Sequence, residues 1–193
     1  MSLSIEKCLQ AWTNSLRQMK VQADVVFFGD SLTYYGDFAR AFPNKVVCNL
    51  GLRGDTIQGM IDRVAQVGIL KPKEVYLMSG INDIACCAID EFEQKYLNLV
   101  NVLKGQVNGM KLIVQSIIPV NDIYYSVSCN NVQIVACNEV IKKIAARSKL
   151  MYCDLFSIYA KDGCLDKSDT IDGVHLKQEA YHRWIEVLMA SQK

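Results

Sequence analysis

The chain is short of several things at once. Its 21 Lys and Arg nearly cancel its 20 Asp and Glu, leaving a formal charge of +1, and it has only 3 Pro and 2 His. A nucleic-acid binder needs a basic stripe to displace counterions, and no Lys/Arg cluster stands out, so no nucleic-acid partner is expected. The longest stretch without a charge, residues 123–138, is full of Ser, Asn and Gln and too short to cross a bilayer. The first residues, MSLSIEKCLQAW, lack the basic leader and apolar core of a signal peptide. The 8 Cys (Cys8, Cys48, Cys86, Cys87, Cys129, Cys137, Cys153, Cys164) include no C-x-x-C pair. Neither His175 nor His182 has the Cys neighbours of a zinc site, so no metal is expected. Cys48 and Cys137 sit in apolar runs, which reads as small buried hydrophobes in a reducing, cytoplasmic compartment. Nothing beside the vicinal pair Cys86–Cys87 would lower a thiol pKa and make it a redox feature.

What is present is apolar: 51% of the 193 residues are hydrophobic, which excludes disorder and is enough for one domain, residues 1–193, with a substantial core. Residues 23–28 (ADVVFF), 45–48 (KVVC), 74–78 (EVYLM), 111–115 (KLIVQ) and 150–153 (LMYC) barely alternate, the pattern of strands covered on both faces. Between them run amphipathic stripes. Ile57, Met60, Ile61, Val64 and Val67 follow the N-cap residue Thr56, and Phe92, Tyr96, Leu99, Val100 and Leu103 follow Asp90. Ile134, Cys137, Ile141 and Ile144 form a third stripe and Ala180, Trp184, Ile185 and Leu188 a fourth, with a further helix expected over residues 5–19. Alternating strands and helices predict right-handed crossovers and an α/β fold. The expected form is a three-layer α/β/α sandwich with a five-stranded parallel sheet in the flavodoxin-like order 2-1-3-4-5. Ligands of such sheets bind beyond the carboxyl ends of the strands.

The residues at those ends carry the chemistry. After the first strand, Gly29-Asp30-Ser31-Leu32-Thr33 puts a hydroxyl and its backbone N–H at the opening of a helix, where unpaired N–H groups favour negative charge; alone, Ser31 would read as a cap. After the second, Asn49-Leu50-Gly51-Leu52-Arg53-Gly54-Asp55-Thr56 opens another helix, and the Gly54 N–H is placed to meet an anion; alone, it would be a turn glycine. No phosphate-loop pattern is present. After the third, Ser79-Gly80-Ile81-Asn82-Asp83 offers the Asn82 amide, otherwise an Asx-turn. Late in the chain, Asp172-Gly173-Val174-His175 sets a carboxylate three residues before a histidine. In one tight turn it accepts the Nδ1–H and leaves Nε2 outward as a base. A nucleophile, two donors, a base and its orienter thus share one predicted sheet edge.

These four blocks, GDSLT, the Gly of RGDT, the Gly80 and Asn82 of GIND, and DGVH, resemble those of the SGNH (GDSL-type) hydrolases, in the family's order and over most of the chain. The run from Asn49 to Asp83 looks most like the branch with platelet-activating-factor acetylhydrolase-type and lysophospholipase- or carbohydrate-esterase-type members. The resemblance implies serine acyl transfer without a cofactor. Ser31 would attack an ester carbonyl, His175 would shuttle the proton and Asp172 would orient His175, with the Ser31 and Gly54 N–H groups and the Asn82 amide holding the oxyanion. The expected substrate is a small ester, short-chain and acetyl first, of a carbohydrate or small alcohol; a lysophospholipase or thioesterase, and a non-catalytic anion-binding module, are the alternatives. Arg53, Tyr124 and Tyr125 are candidate pocket residues, the tyrosines on the long polar loop 119–131; Asp30 and Asp83 are expected to brace loops and His182 to be an ordinary helix residue. A chain spent mostly on the sandwich leaves an open, shallow site, near-neutral charge argues against a strongly charged substrate, and a monomer or small homo-oligomer is expected.

Overall fold

In a computed structural model, which describes residues 3–192, the covered apolar runs form a parallel sheet. Its strands are β1 (Val25–Gly29), β2 (Val47–Gly51), β3 (Glu74–Met78), β4 (Lys111–Gln115) and β5 (Met151–Cys153), in the order β2-β1-β3-β4-β5. Val25 pairs with both Val47 and Glu74, Glu74 with Lys111, and Ile113 with Met151. The helices are α1 (Leu3–Met19), α2 (Ser31–Tyr34), α3 (Ile57–Arg63), α4 (Ala65–Leu70), α5 (Ile89–Lys104), α6 (Asn131–Arg147), α7 (Phe156–Tyr159) and α8 (Tyr181–Ala190). A two-residue hairpin, β6 (Ala160–Lys161) and β7 (Cys164–Leu165), stands apart from the sheet.

Because successive strand residues point to opposite faces, β1 feeds two cores. Val26 and Phe28 join Val75, Leu77, Leu112 and Val114 beneath Met60, Phe92, Tyr96 and Ile141. Val25 and Phe27 join Tyr76, Met78 and Ile113 against Phe38, Phe42, Tyr181 and Trp184. On that second face Phe27 stacks between Phe38 at 4.1 Å and Tyr76 at 4.8 Å. Two helical layers enclose the sheet, the expected sandwich.

Several boundaries differ from the sequence pattern. β2 runs on through Asn49, Leu50 and Gly51, which the sequence places in a loop. The polar Asn49 is accommodated because its Nδ2 donates to the carbonyls of Thr33 and Gly36 and its Oδ1 accepts from Gly51 N–H. The first stripe is two helices, broken at Val64, whose N–H turns back to Ile61 in a tighter i→i−3 bond. Thr56 does cap α3, accepting from Gly59 N–H at 3.1 Å. α5 starts at Ile89 with Ala88 as its cap, so Asp90 lies inside the first turn, where the helix dipole favours a carboxylate.

Cys48, Cys86, Cys87, Cys129, Cys137, Cys153 and Cys164 are free thiols; the Cys8 side chain lies outside the described residues. Burial pushes the Cys137 thiol up to about 12 and the Cys153 thiol up to about 11. Among the described residues no cluster of metal-ligating side chains occurs, and no helix is long and apolar enough to cross a membrane.

Candidate active site

The order β2-β1-β3 brings three strand ends side by side, with the Ser31 segment in the middle. Gly29 closes β1 where a Cβ would lie 2.0 Å from Thr33 Oγ1 and 2.8 Å from the Met78 carbonyl oxygen. The next residue, Asp30, is the N-cap of α2, its Oδ1 accepting from Leu32 N–H at 2.9 Å. Ser31 is therefore the first residue of the helix rather than its cap. Asp30 is buried, its Oδ2 has no hydrogen-bond partner, and its carboxyl is pushed up to about 7. Burial is the main cause, with the nearby Asp55 and Asp83 adding to it and the Leu32 N–H opposing it.

Ser31 Oγ lies 2.9 Å from His175 Nε2, and His175 Nδ1 lies 2.7 Å from Asp172 Oδ2. Asp172 Oδ1 accepts from the backbone N–H groups of Val174 and His175 at 3.0 and 2.8 Å. Burial raises the Asp172 carboxyl, but those bonds together with the His175 side chain outweigh it and hold the group below its ordinary value. An ionised carboxylate only accepts, so Nδ1 carries a proton, and the neutral tautomer this bond selects leaves Nε2 to accept from the Ser31 hydroxyl.

The segment bearing Asp172 and His175 is clamped from behind. Thr170 and Leu176 form a β-bridge, Thr170 Oγ1 donates to the His175 carbonyl at 2.8 Å, and the same Oγ1 accepts from Gly173 N–H at 2.9 Å. Asn121 N–H donates to the Gly173 carbonyl at 2.7 Å, and Tyr125 packs against Gly173, whose φ is +93°. No side chain fits there: a Cβ would sit 2.7 Å from that of Tyr125.

On the other flank, Gly54 is exposed with φ +71°. Asn82 Nδ2 donates to the Asp55 carbonyl at 2.8 Å, leaving its second amide hydrogen free. Asp83 accepts from Ile57 N–H at 3.1 and 3.3 Å, so it does brace the 52–57 segment. Beneath both lies an ion pair that the sequence did not reveal. Arg63, wholly buried, donates from Nε to Asp55 Oδ2 at 2.7 Å, from Nη2 to the Gly29 carbonyl at 3.1 Å and from Nη1 to Gln66 at 3.3 Å, over the ring of Phe28 at 4.4 Å. Burial lowers the Arg63 pKa and raises that of Asp55, each against the pull of the other. The only clue in the sequence was spacing: Arg63 stands three residues after Met60, inside an apolar stripe.

The other expected residues stand outside the relay. Arg53 rests over the ring of Tyr35 at 5.8 Å. Tyr124 lies under Lys167 at 4.8 Å, and Tyr124 and Tyr125 line two hollows to which Ser31, His175 and Asp172 contribute nothing. His182 is an exposed residue of α8. Tyr35, which no pattern singled out, meets His175 edge to face at 5.8 Å, and the Tyr181 hydroxyl donates to the Leu32 carbonyl at 2.7 Å, pinning α2 from the far layer.

Residues 27–183 match the model of the GDSL-like lipase/acylhydrolase family. No curated protein matches the chain. Among solved structures, a candidate platelet activating factor from Streptococcus pneumonia superposes with a TM-score of 0.83 at 19% identity, over 100% of both chains. A GDSL-like lipase from Bacteroides thetaiotaomicron gives 0.73 at 19% identity over 96% of both chains. An acetyl xylan esterase gives 0.71 at 20% identity over 86% of this chain and 98% of the other. At such identities the likeness speaks for the fold.

Proposed function

The chain belongs to the GDSL-like lipase/acylhydrolase family, and from that premise we propose that it is a serine esterase removing short acyl groups, acetyl first, from a carbohydrate or small alcohol, the whole chain acting as one domain. The observation that carries this reading is the hydrogen-bond relay Ser31 Oγ–His175 Nε2–His175 Nδ1–Asp172. A pure binding module has no need of an oriented base.

On this reading the steps are those of serine acyl transfer. Ser31 Oγ attacks the ester carbonyl while its proton passes to His175 Nε2, and Asp172 stabilises the imidazolium. The oxyanion is held by the N–H groups of Ser31 and Gly54 and by the free Asn82 amide hydrogen; losing one such donor costs about 10²–10³ in turnover. When the tetrahedral centre collapses, the bond to the alcohol breaks and the alcohol takes the proton from Nε2. Water, deprotonated by His175, then releases the acid from Ser31. Arg63, by tying Asp55 to Gly29, holds the Gly54 and Ser31 segments at a fixed spacing. None of these steps calls for a metal or organic cofactor.

A short-acyl preference is supported by the ties between the 52–57 and 79–83 segments, where Asp83 accepts from Ile57 N–H and Asn82 donates to the Asp55 carbonyl. The test is covalent labelling with a serine-directed fluorophosphonate, with Ser31→Ala as control, followed by a chain-length series of p-nitrophenyl esters. Labelling of the wild type alone and fastest turnover of the acetate are expected. Absence of wild-type labelling, or wild-type turnover by Ser31→Ala, overturns the catalytic reading, and a preference for long chains overturns the acetyl assignment.

A further inference from the structure

Beside His175 lies a surface that the proton relay does not use. Tyr34 and Tyr35, at the end of α2, are 51% and 39% exposed, with their rings edge to face at 5.1 Å. The Tyr35 ring meets the His175 ring edge to face and lies under the Arg53 guanidinium, each at 5.8 Å. No more than two such spans therefore separate the guanidinium from the imidazole. Arg63, Arg147 and Arg183 each pair with a carboxylate; among the described residues Arg53 has no such partner. Two acids of the site are engaged, Asp55 by Arg63 and Asp172 by His175.

The position of this surface says which part of a substrate meets it. The departing alcohol must collect its proton from His175 Nε2, so it leaves past that ring, and Tyr35 borders the way out. Over the Tyr35 ring stands the charge of Arg53. A guanidinium laid on an aromatic face keeps its planar fork of donors outward, in the geometry that suits a carboxylate or phosphate. The same positive charge repels a cationic headgroup, so the tyrosine pair is not a cage for a quaternary ammonium. We infer that Arg53, seated on Tyr35, binds an anionic group, carboxylate or phosphate, on the alcohol side of the ester. The inference rests on the esterase reading and narrows its substrate to acyl esters of acidic alcohols, such as an acidic sugar. The near-zero net charge of the chain does not oppose this, because the recognising charge is local.

The test compares specificity constants for three aryl acetates: 4-acetoxybenzoate, its uncharged methyl ester, and 4-acetoxyphenyl phosphate, in wild type and Arg53→Gln. Dividing each anionic-to-neutral ratio in the wild type by the same ratio in the variant cancels the differing reactivities of the phenols. A quotient of about five is expected for at least one anion, the size of one favourable exposed charge pair. It should shrink toward one in 0.5 M salt and be partly restored by Arg53→Lys. A larger quotient for the phosphate arm names phosphate as the preferred group, and a larger one for the benzoate names carboxylate. Quotients near one for both anions, with p-nitrophenyl acetate still hydrolysed, overturn the inference and leave the esterase reading standing. Failure of the wild type to hydrolyse p-nitrophenyl acetate removes both.

Discussion

Replacing Arg63 by Met isolates the contribution of the buried ion pair behind the site. The methionine keeps apolar volume over Phe28 but removes the donors that Asp55, the Gly29 carbonyl and Gln66 share. The side chains of Arg63 and Asp55 are 0% and 5% exposed, so solvent cannot take the guanidinium's place. An unpaired buried charge costs about 3–5 kcal/mol, more than either neutral acceptor, and should dominate the loss. Against a total stability of about 5–15 kcal/mol that is a large fraction. The loss should also depend on pH. Burial already raises the Asp55 carboxyl above its ordinary value, and without Arg63 to oppose it the rise grows. A carboxyl with a higher pKa in the folded than in the unfolded state binds the extra proton in the folded state, so the deficit is largest near neutral pH and narrows as the pH falls through the folded pKa. The second arm is Asp55→Asn combined with Arg63→Met, which removes the stranded charge and should recover part of the stability. Urea unfolding followed by circular dichroism at pH 5 and pH 8 measures all of this. A loss below about 1 kcal/mol for Arg63→Met, or a double variant no more stable than the single one, would refute the account of Asp55 as a charge that needs its partner.

Two further outcomes follow from particular positions. Asp30, with its carboxyl pushed up to about 7 by burial, keeps a proton in the folded state between about pH 4 and 7 that the unfolded chain releases. Asp30→Asn keeps an acceptor for Leu32 N–H, so the wild type should lose stability relative to it as the pH rises through that window, by about 4 kcal/mol in all; parallel melting profiles between pH 4.5 and 8 would count against this. Gly173→Ala forces a Cβ against Tyr125 at φ +93° and displaces the turn carrying Asp172 and His175, so kcat on p-nitrophenyl acetate should fall roughly 10²-fold. Gly109→Ala, at φ +76° with open space around it, is the control for backbone strain alone and should keep its kcat; equal losses in the two variants would show that displacement of the turn is not the cause.

The parts of the fold legible in the sequence are those written by burial on both faces. β3 and β4 occupy residues 74–78 and 111–115, where uninterrupted apolar runs leave little choice. β2 escaped because Asn49 and Gly51 break its run, and what satisfies Asn49 is the carbonyls of Thr33 and Gly36, contributed by a different element. The break at Val64 was invisible because Met60 and Val67 stay on one buried face across it. Ser31, Gly54, Asn82 and the Asp172–His175 turn could be marked because a parallel sheet gathers its strand ends at one edge, and because a carboxylate three residues before a histidine meets it within a single turn. Arg63, Tyr35 and Tyr181 could not, since their parts depend on where side chains point across layers. Side-chain direction was likewise not legible for the candidate pocket residues Tyr124 and Tyr125, which the loop turns toward Lys167 and Gly173.

The relay between Ser31 and His175 joins residues 144 positions apart, while His175 and Asp172 are three apart. The base and its orienter therefore travel as one piece, and a single long closure separates an inert chain from a reactive one. Ser31, Gly54 and Asn82 leave the ribosome with β1 to β3, but the proton acceptor follows all five strands. On the esterase reading, a chain still being made holds a serine no more nucleophilic than any other, and its reactivity arrives when the segment after β7 brings His175 to Ser31. On that reading turnover is a readout of completed folding, and a nick at the exposed Lys167–Ser168 bond should silence the serine.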